Sequence, residues 1–306
     1  MRRRYLVSAL LAFLPALATA QDEPSSPRFN VDTTLVLIPV TVTDPSNRFV
    51  LGLRKGDFHI LEDGVEQTIS NISGEDVPLS IGLLFDASGS MDNKLRTSRK
   101  AALQFLQTMN PLDEVFLIQF SDHPQVISPF THKIDDVQTK LTNIQPGGLT
   151  ALLDAAEMGL REMKKATNTR KAILIVSDGG DNNSKYSATE IQNLVREADV
   201  QVYAMGVFEP PLFVGLSKEE VSGPKLLSEL AEQTGGRAFT ASDPNDLPSV
   251  ASRIGIELRN QYVLAYSPKN QAKDGKYRKV VVKVTQPPGM PSLKVHWRLG
   301  YYAPTQ

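Results

Sequence analysis

The hydrophobic pattern divides the chain into three blocks. Between about Arg28 and Ser73, β-branched and apolar residues dominate, as in Thr33-Thr34-Leu35-Val36-Leu37-Ile38-Pro39-Val40-Thr41-Val42-Thr43. Further on, Phe58-His59-Ile60-Leu61 runs into Glu62-Asp63-Gly64. Asp-Gly between such runs is a strong hairpin signal, because a type I′ turn needs positive φ at both central residues. From about Pro78 to Asn260, short apolar runs alternate with segments of helical period. Residues 80–85, 115–120, 172–177 and 200–207 predict buried strands. Residues 95–109, 134–144, 151–165, 189–198, 225–233 and 244–258 predict helices. In the last of these, Leu247, Val250, Ala251, Ile254 and Leu258 recur at three- and four-residue steps, as one buried stripe requires. From Gln261 to Tyr302 the β pattern returns, in residues 262–266, 278–285 and 293–299, with Asp274-Gly275 as a turn.

Strand–helix alternation predicts an α/β fold, a doubly wound and mostly parallel sheet with helices on both faces, Rossmann-like in its layering. Each flanking β block has about 45 residues, too few to bury a core without disulfides or a metal. Together they reach about 90 residues, the size of a small β-sandwich. The expected organisation is therefore a split β-sandwich, with halves at 28–77 and 261–303, and the α/β domain inserted at 78–260. The alternative is two unrelated β appendages.

Composition narrows the function. The 306 residues are 41% hydrophobic, carry a formal charge of −1 and include no cysteine. A near-neutral chain lacks the basic surface that nucleic-acid binding relies on. Without cysteine there are no disulfides, thiolate zinc sites or thiol nucleophiles, so a metal must sit on oxygen or histidine. Residues 1–20 read as a cleaved signal peptide. Arg2-Arg3-Arg4 precede an apolar run from Tyr5 to Leu17, and Ala18-Thr19-Ala20 is a small-x-small cleavage site. The run is about 13 residues, against the roughly 20 that span a bilayer, and it contains Pro15. Removing it takes three arginines and no acid, so the charge falls from −1 to −4. No later stretch is long and apolar enough to span a membrane. The expectation is an exported protein, periplasmic or secreted, with Ser25-Ser26-Pro27 as a flexible lead-in.

Candidate chemistry lies on three loops. The strand at 80–85 ends in Asp86-Ala87-Ser88-Gly89-Ser90, which places a carboxylate and two hydroxyls on one tight turn. Gly147-Gly148-Leu149-Thr150 precedes a predicted helix, and Asp178-Gly179-Gly180 follows the strand at 172–177. In an open α/β sheet all three open on the carboxyl-end rim, where ligands bind. Hard oxygen donors with few formal charges suit Mg²⁺ or Mn²⁺. The competing reading of a lone serine here is a helix N-cap.

This constellation resembles the metal ion-dependent adhesion site of the von Willebrand factor type A domain, built from a D-x-S-x-S loop, a threonine and an aspartate on three loops. The resemblance covers about Pro78 to Asn260. It implies Mg²⁺ (or Mn²⁺) held by Asp86, Ser88, Ser90, Thr150 and Asp178, with a partner protein's Asp or Glu carboxylate completing the shell. The flanks are similar to a bacterial family related to that domain, through Phe49-Val50-Leu51-Gly52-Leu53, Asp57-Phe58, Glu62-Asp63-Gly64 and Arg298-Leu299-Gly300-Tyr301-Tyr302. One departure is Met91-Asp92-Asn93-Lys94, where integrin β-type domains carry acids for a second, adjacent cation. The lysine argues against that second site.

The remaining candidates have plainer readings. Asp154 either orients a loop or is a helix-surface carboxylate, and Asp181, Asn182 and Asn183 either widen the rim or form a polar turn. His59, His123, His132 and His296 show no metal-ligand spacing, and His123 and His132 bracket an edge hairpin. The apolar segment 208–216 either packs on the domain or extends the rim surface. The sequence holds no G-x-S-x-G elbow and no phosphate-binding P-loop, so a hydrolase is the weaker expectation. The expected function is a non-enzymatic, metal-dependent protein-binding module. The alternative in another class is a structural envelope component whose metal stabilises the fold.

Overall fold

The computed structural model describes residues 35–305 apart from 75–76, 209–217, 242, 287–288 and 290. The signal peptide expected at 1–20, the lead-in at 25–27 and most of the apolar segment 208–216 lie outside the described residues.

The middle of the chain folds as β5 (Leu79–Asp86), α1 (Leu95–Leu106), β6 (Glu114–Phe120), β7 (Pro124–Thr131), α2 (Ile134–Thr142), α3 (Leu152–Met163), β8 (Arg170–Ser177), α4 (Ala188–Glu197), β9 (Gln201–Gly206), α5 (Lys218–Glu232), β10 (Ala238–Thr240) and α6 (Leu247–Arg259). Before it come β1 (Val36–Thr43), β2 (Phe58–Glu62), β3 (Val65–Gln67) and β4 (Ile69–Ser73). After it come β11 (Tyr262–Tyr266), β12 (Tyr277–Val284), β13 (Lys294–Trp297) and β14 (Gly300–Tyr302).

The central sheet has the order β10-β9-β8-β5-β6-β7 and is parallel except for the β6–β7 pair. Every residue of β5 and of β9 is buried, which explains their unbroken apolar runs: a strand covered on both faces has no polar side. Helices α1, α2 and α6 pack on one face around Phe85, Phe105 and Leu174. Helices α3, α4 and α5 cover the other around Phe116, Ile175 and Val202. The α6 stripe Leu247, Val250, Ala251, Ile254 and Leu258 is buried as the spacing predicts. The expected α/β architecture is thus the observed one, with β7 as the antiparallel edge strand between His123 and His132.

Two small antiparallel sheets complete the fold, in the orders β13-β1-β11-β4 and β14-β12-β2-β3. Each draws strands from both flanks of the chain. Their inner faces share one core, with Ile38 and Leu264 from one sheet against Phe58, Ile60 and Val282 from the other. The turn between β2 and β3 uses Asp63 at φ 48° and Gly64 at φ 83°, as the Asp-Gly signal requires.

The flank strings singled out in the sequence meet here. Glu62 is buried, and its Oε2 accepts hydrogen bonds from Tyr266 (2.7 Å) and Tyr301 (2.8 Å). Tyr262 donates to the Val50 carbonyl (2.8 Å) and accepts from the Leu53 amide (3.0 Å), which pins the irregular 49–53 segment. A buried carboxylate that loses one of two donors loses stability, and bonds to charged groups contribute about 1.5–3 kcal/mol. Tyr266→Phe is therefore expected to lower the calorimetric melting temperature. Tyr302→Phe, on an exposed ring, is expected to leave it unchanged. Equal melting for both variants would show that the Glu62 bond contributes nothing.

Candidate metal centre

β5 is the central strand and has β6 on one side and β8 on the other, so the chain's winding reverses there. At such a switch point the crevice beyond the carboxyl ends of the strands is open. Asp86 closes β5 at that rim, and Asp178 follows β8 directly.

The first loop is organised around Asp86, which is fully buried. Its Oδ1 accepts from the Ser88 amide (2.9 Å) and the Ser88 hydroxyl (2.6 Å), and its Oδ2 accepts from the Ser177 hydroxyl (2.5 Å). Burial pushes the Asp86 carboxyl up to about 6; the Ser177 and Ser88 hydroxyls pull it down, and nearby Asp178 raises it. The Ser88 and Ser90 hydroxyl oxygens lie 3.1 Å apart. Neither serine caps a helix. Ser88 makes no side-chain cap on the 3-10 turn Gly89–Met91, and α1 starts at Leu95, as predicted, with Lys94 and not a serine at its N-cap. The N-cap reading of these serines is thereby set aside.

The second loop is stitched to the first by backbone bonds from Gly89 N to Gly148 O (3.0 Å) and from Gly147 N to Ala87 O (2.8 Å). Gly148 sits at φ +84°, and a Cβ there would meet Asp122 Oδ2 at 2.6 Å. Both conditions exclude a side chain. Asp122 instead accepts from the Leu149 amide (2.8 Å), fixing the turn that presents buried Thr150.

The third loop clamps the second. Asn182 Oδ1 accepts from the Thr150 amide (2.8 Å), while the Thr150 carbonyl accepts from the Asn182 and Asn183 amides (3.0 Å each). Asp154 is buried and accepts from the Lys185 (2.8 Å) and Tyr186 (3.2 Å) amides, so it orients the third loop. Asp181 binds Ser184 (2.6 Å) and the Leu153 amide (3.3 Å), and burial raises its carboxyl. Helix α5 also fits closely: a Cβ on Gly223 would meet the Asp178 carbonyl at 2.5 Å.

The structure thus brings all five predicted residues to one rim. It also brings a residue the sequence reading had not placed there. Lys94 Nζ donates to Asp178 Oδ2 at 3.0 Å, with the two side chains only 11% and 3% exposed. The lysine expected merely to argue against a second cation therefore bridges the first and third loops. The donor set is otherwise that of a hard divalent cation: two carboxylates and three neutral hydroxyls, with the Ser88 hydroxyl directed at Asp86 and Ser90. These residues fit the ion. The histidines do not join them. His59 pairs with Glu66 (3.0 Å) and His132 with the Asp113 carbonyl (2.7 Å). Among the described residues no cluster of three His, Cys, Asp or Glu could hold a metal, so the hydroxyls are essential to this reading.

With fold and rim defined, comparison with known proteins identifies the class. Residues 80–253 match the von Willebrand factor type A domain, and the chain belongs to that family. Domains of this family are usually non-catalytic binding modules and often hold a divalent cation at the adhesion site. Inter-alpha-trypsin inhibitor heavy chain H4 of Bos taurus is 27% identical over 135 residues, which are 40% of this chain and 15% of that one. An uncharacterized protein of Borreliella burgdorferi is 23% identical over 168 residues, covering 50% of this chain and 49% of that one. The chain therefore spans half or less of the length of these relatives. A von Willebrand factor type A structure from Catenulispora acidiphila superimposes with a TM-score of 0.52 at 11% identity, covering 90% of this chain and 74% of that one. That likeness shows the fold alone. Among the described residues no helix is long and apolar enough to cross a membrane.

Proposed function

We propose that the rim holds one Mg²⁺ or Mn²⁺ through Asp86, Ser88, Ser90, Thr150 and Asp178, and that the bound ion captures an Asp or Glu carboxylate of a partner protein. The observation that carries this reading is the Ser88 hydroxyl. It makes no capping bond, and it donates to Asp86 with the Ser90 hydroxyl 3.1 Å away, so its oxygen stands beside both other donors of the loop. Two carboxylates and three neutral hydroxyls supply five hard oxygen donors, so a partner's carboxylate oxygen would complete the six-oxygen shell that such an ion prefers. Leu149 and Tyr186, exposed on the second and third loops, would give that partner apolar contacts beside the ion.

The division into a β-sandwich of residues 28–77 and 261–303 carrying the inserted domain 78–260 belongs to the same proposal, supported by the mixed parentage of both small sheets. Export to the periplasm or beyond is proposed on the pattern of residues 1–20. The reading of a purely structural metal is disfavoured by Lys94, which already supplies Asp178 with a cation. Titration calorimetry with MgCl₂ and MnCl₂ tests the proposal. One saturable site per chain is the expected result, and no binding of either ion overturns it.

A further inference from the structure

The ion pair at the rim has a consequence for how the site fills. We propose that Lys94 is a tethered counter-ion that occupies the metal-free site and must release Asp178 when a divalent cation binds, so that it sets the cation concentration at which the site fills. This rests on the metal reading above and adds a competitor within the chain.

The geometry carries the inference in three steps. First, Asp86 and Asp178 lie buried at the same rim, close enough for the charge of one to act on the other. Two buried carboxylates without a cation are costly, and the Lys94 ammonium is the cation paired with one of them, Asp178. Second, both Asp178 oxygens are engaged. Oδ2 accepts from Lys94 (3.0 Å) and Oδ1 from the Gly180 amide (3.2 Å). The Gly180 bond lies within the loop and can persist. The lysine bond brings a positive charge to the atoms a divalent ion would use directly or through water, and two cations crowded there in a poorly hydrated site repel each other. Third, the competitor can leave. Lysine is a compact charge on a flexible four-carbon stem, and this one stands just before α1 with its side chain 11% exposed, so a path to solvent exists. An arginine fork would be harder to swing away.

The roles of the lysine then reverse between the two states. Without metal it neutralises Asp178 and ties the third loop to the first. With metal it is driven towards solvent. Removing it should weaken the metal-free fold and strengthen metal binding, a combination that a lysine acting only as a structural pair does not produce.

The test uses the full chain in two measurements. Calorimetry with MgCl₂ compares wild type with Lys94→Met, and with Lys94→Gln as a second variant should the first fold poorly. A neighbouring charge shifts such equilibria by about ten- to a thousand-fold, so Mg²⁺ should bind at least roughly tenfold tighter to the variant, while its metal-free melting temperature falls. Independently, acetylation of wild-type Lys94 by N-hydroxysuccinimide acetate, followed by peptide mass spectrometry, should quicken several-fold when Mg²⁺ is added. Equal or weaker Mg²⁺ binding by the variants, or Lys94 acetylation indifferent to Mg²⁺, overturns the inference and leaves the metal site standing. Binding by the variant with none by wild type supports the lysine's role and sinks the resident-ion reading. No binding by either overturns both.

Discussion

Asp86→Ala is expected to abolish Mg²⁺ binding while the chain still folds. Asp86 ends the central strand and organises the Ser88 amide and hydroxyl and the Ser177 hydroxyl around one carboxylate. Removing it takes away a charged donor and also the acceptor that aims Ser88. Loss of a group that merely supports a metal ligand costs about 10–100-fold in affinity, so loss of this ligand should exceed about 100-fold. The change leaves the buried Ser88 and Ser177 hydroxyls without their acceptor, a local cost of about 1–3 kcal/mol per group that the large α/β core should outweigh. The checks are calorimetric titration with MgCl₂ and far-ultraviolet circular dichroism on the same samples. Metal binding within threefold of wild type would place the site elsewhere.

The largest stability effect is expected at the opposite end of the sheet. Arg237 Nη1 lies 3.0 Å from Glu257 Oε2, with side chains 15% and 1% exposed. Glu257 Oε1 also accepts from Tyr203 (3.2 Å), and Gln261 donates to Tyr203 (2.9 Å) and to Thr41 of β1 (3.2 Å). This network joins α6 and the central sheet to the first small sheet. Burial raises the Glu257 carboxyl, and Arg237 opposes that rise. Arg237→Leu leaves the carboxylate buried and unpaired, which costs about 3–5 kcal/mol. For a chain of this size that corresponds to a fall of roughly 5–8 °C in melting temperature. The double change Arg237→Leu/Glu257→Leu should recover much of the loss, because paired removal leaves no orphan charge. Scanning calorimetry of the three proteins decides it, and an Arg237→Leu variant as stable as wild type would show the pair to be idle.

Much of the α/β layering is legible because buried parallel strands write themselves as continuous apolar runs, and because the α6 stripe keeps its spacing. Short elements leave no such trace: β10 has three residues and was not predicted. The run 293–299 reads as one strand, yet the chain changes sheets within it. β13 pairs with β1, while β14 pairs with β12, and Arg298 and Leu299 make the crossing. Helix α5 begins at Lys218, ahead of the predicted start at 225, and continues through Pro224. Its apolar period becomes visible only at Leu226, and a proline ordinarily marks a start. At the rim, the five residues proposed as ligands are legible because their spacing within each loop is local. The part played by Lys94 is not. Which carboxylate its stem reaches depends on a loop 84 residues away, brought close only by the pairing of β5 with β8. Asp154 is intermediate: its position four residues after Thr150 allowed a loop-orienting role, and the fold supplies the amides it holds.

The crossing between the α/β part and the small sheets also decides how the molecule meets tension. The chain enters through β4 and returns through β11, and these strands are antiparallel neighbours with Ser73 opposite Val263. A pull on the metal rim therefore draws both strands the same way, and they do not slide past each other. The next ladder takes the strain, where β11 pairs with β1 from Val40↔Tyr262 to Val36↔Tyr266. If β1 is held at its Val36 end, a pull entering β11 at Tyr262 would load that ladder along the strands, and its bonds would resist together in shear instead of parting one after another as a zipper would. A grip of the kind proposed for the rim would then be backed by the stiffer of the two ways a β-ladder can be pulled.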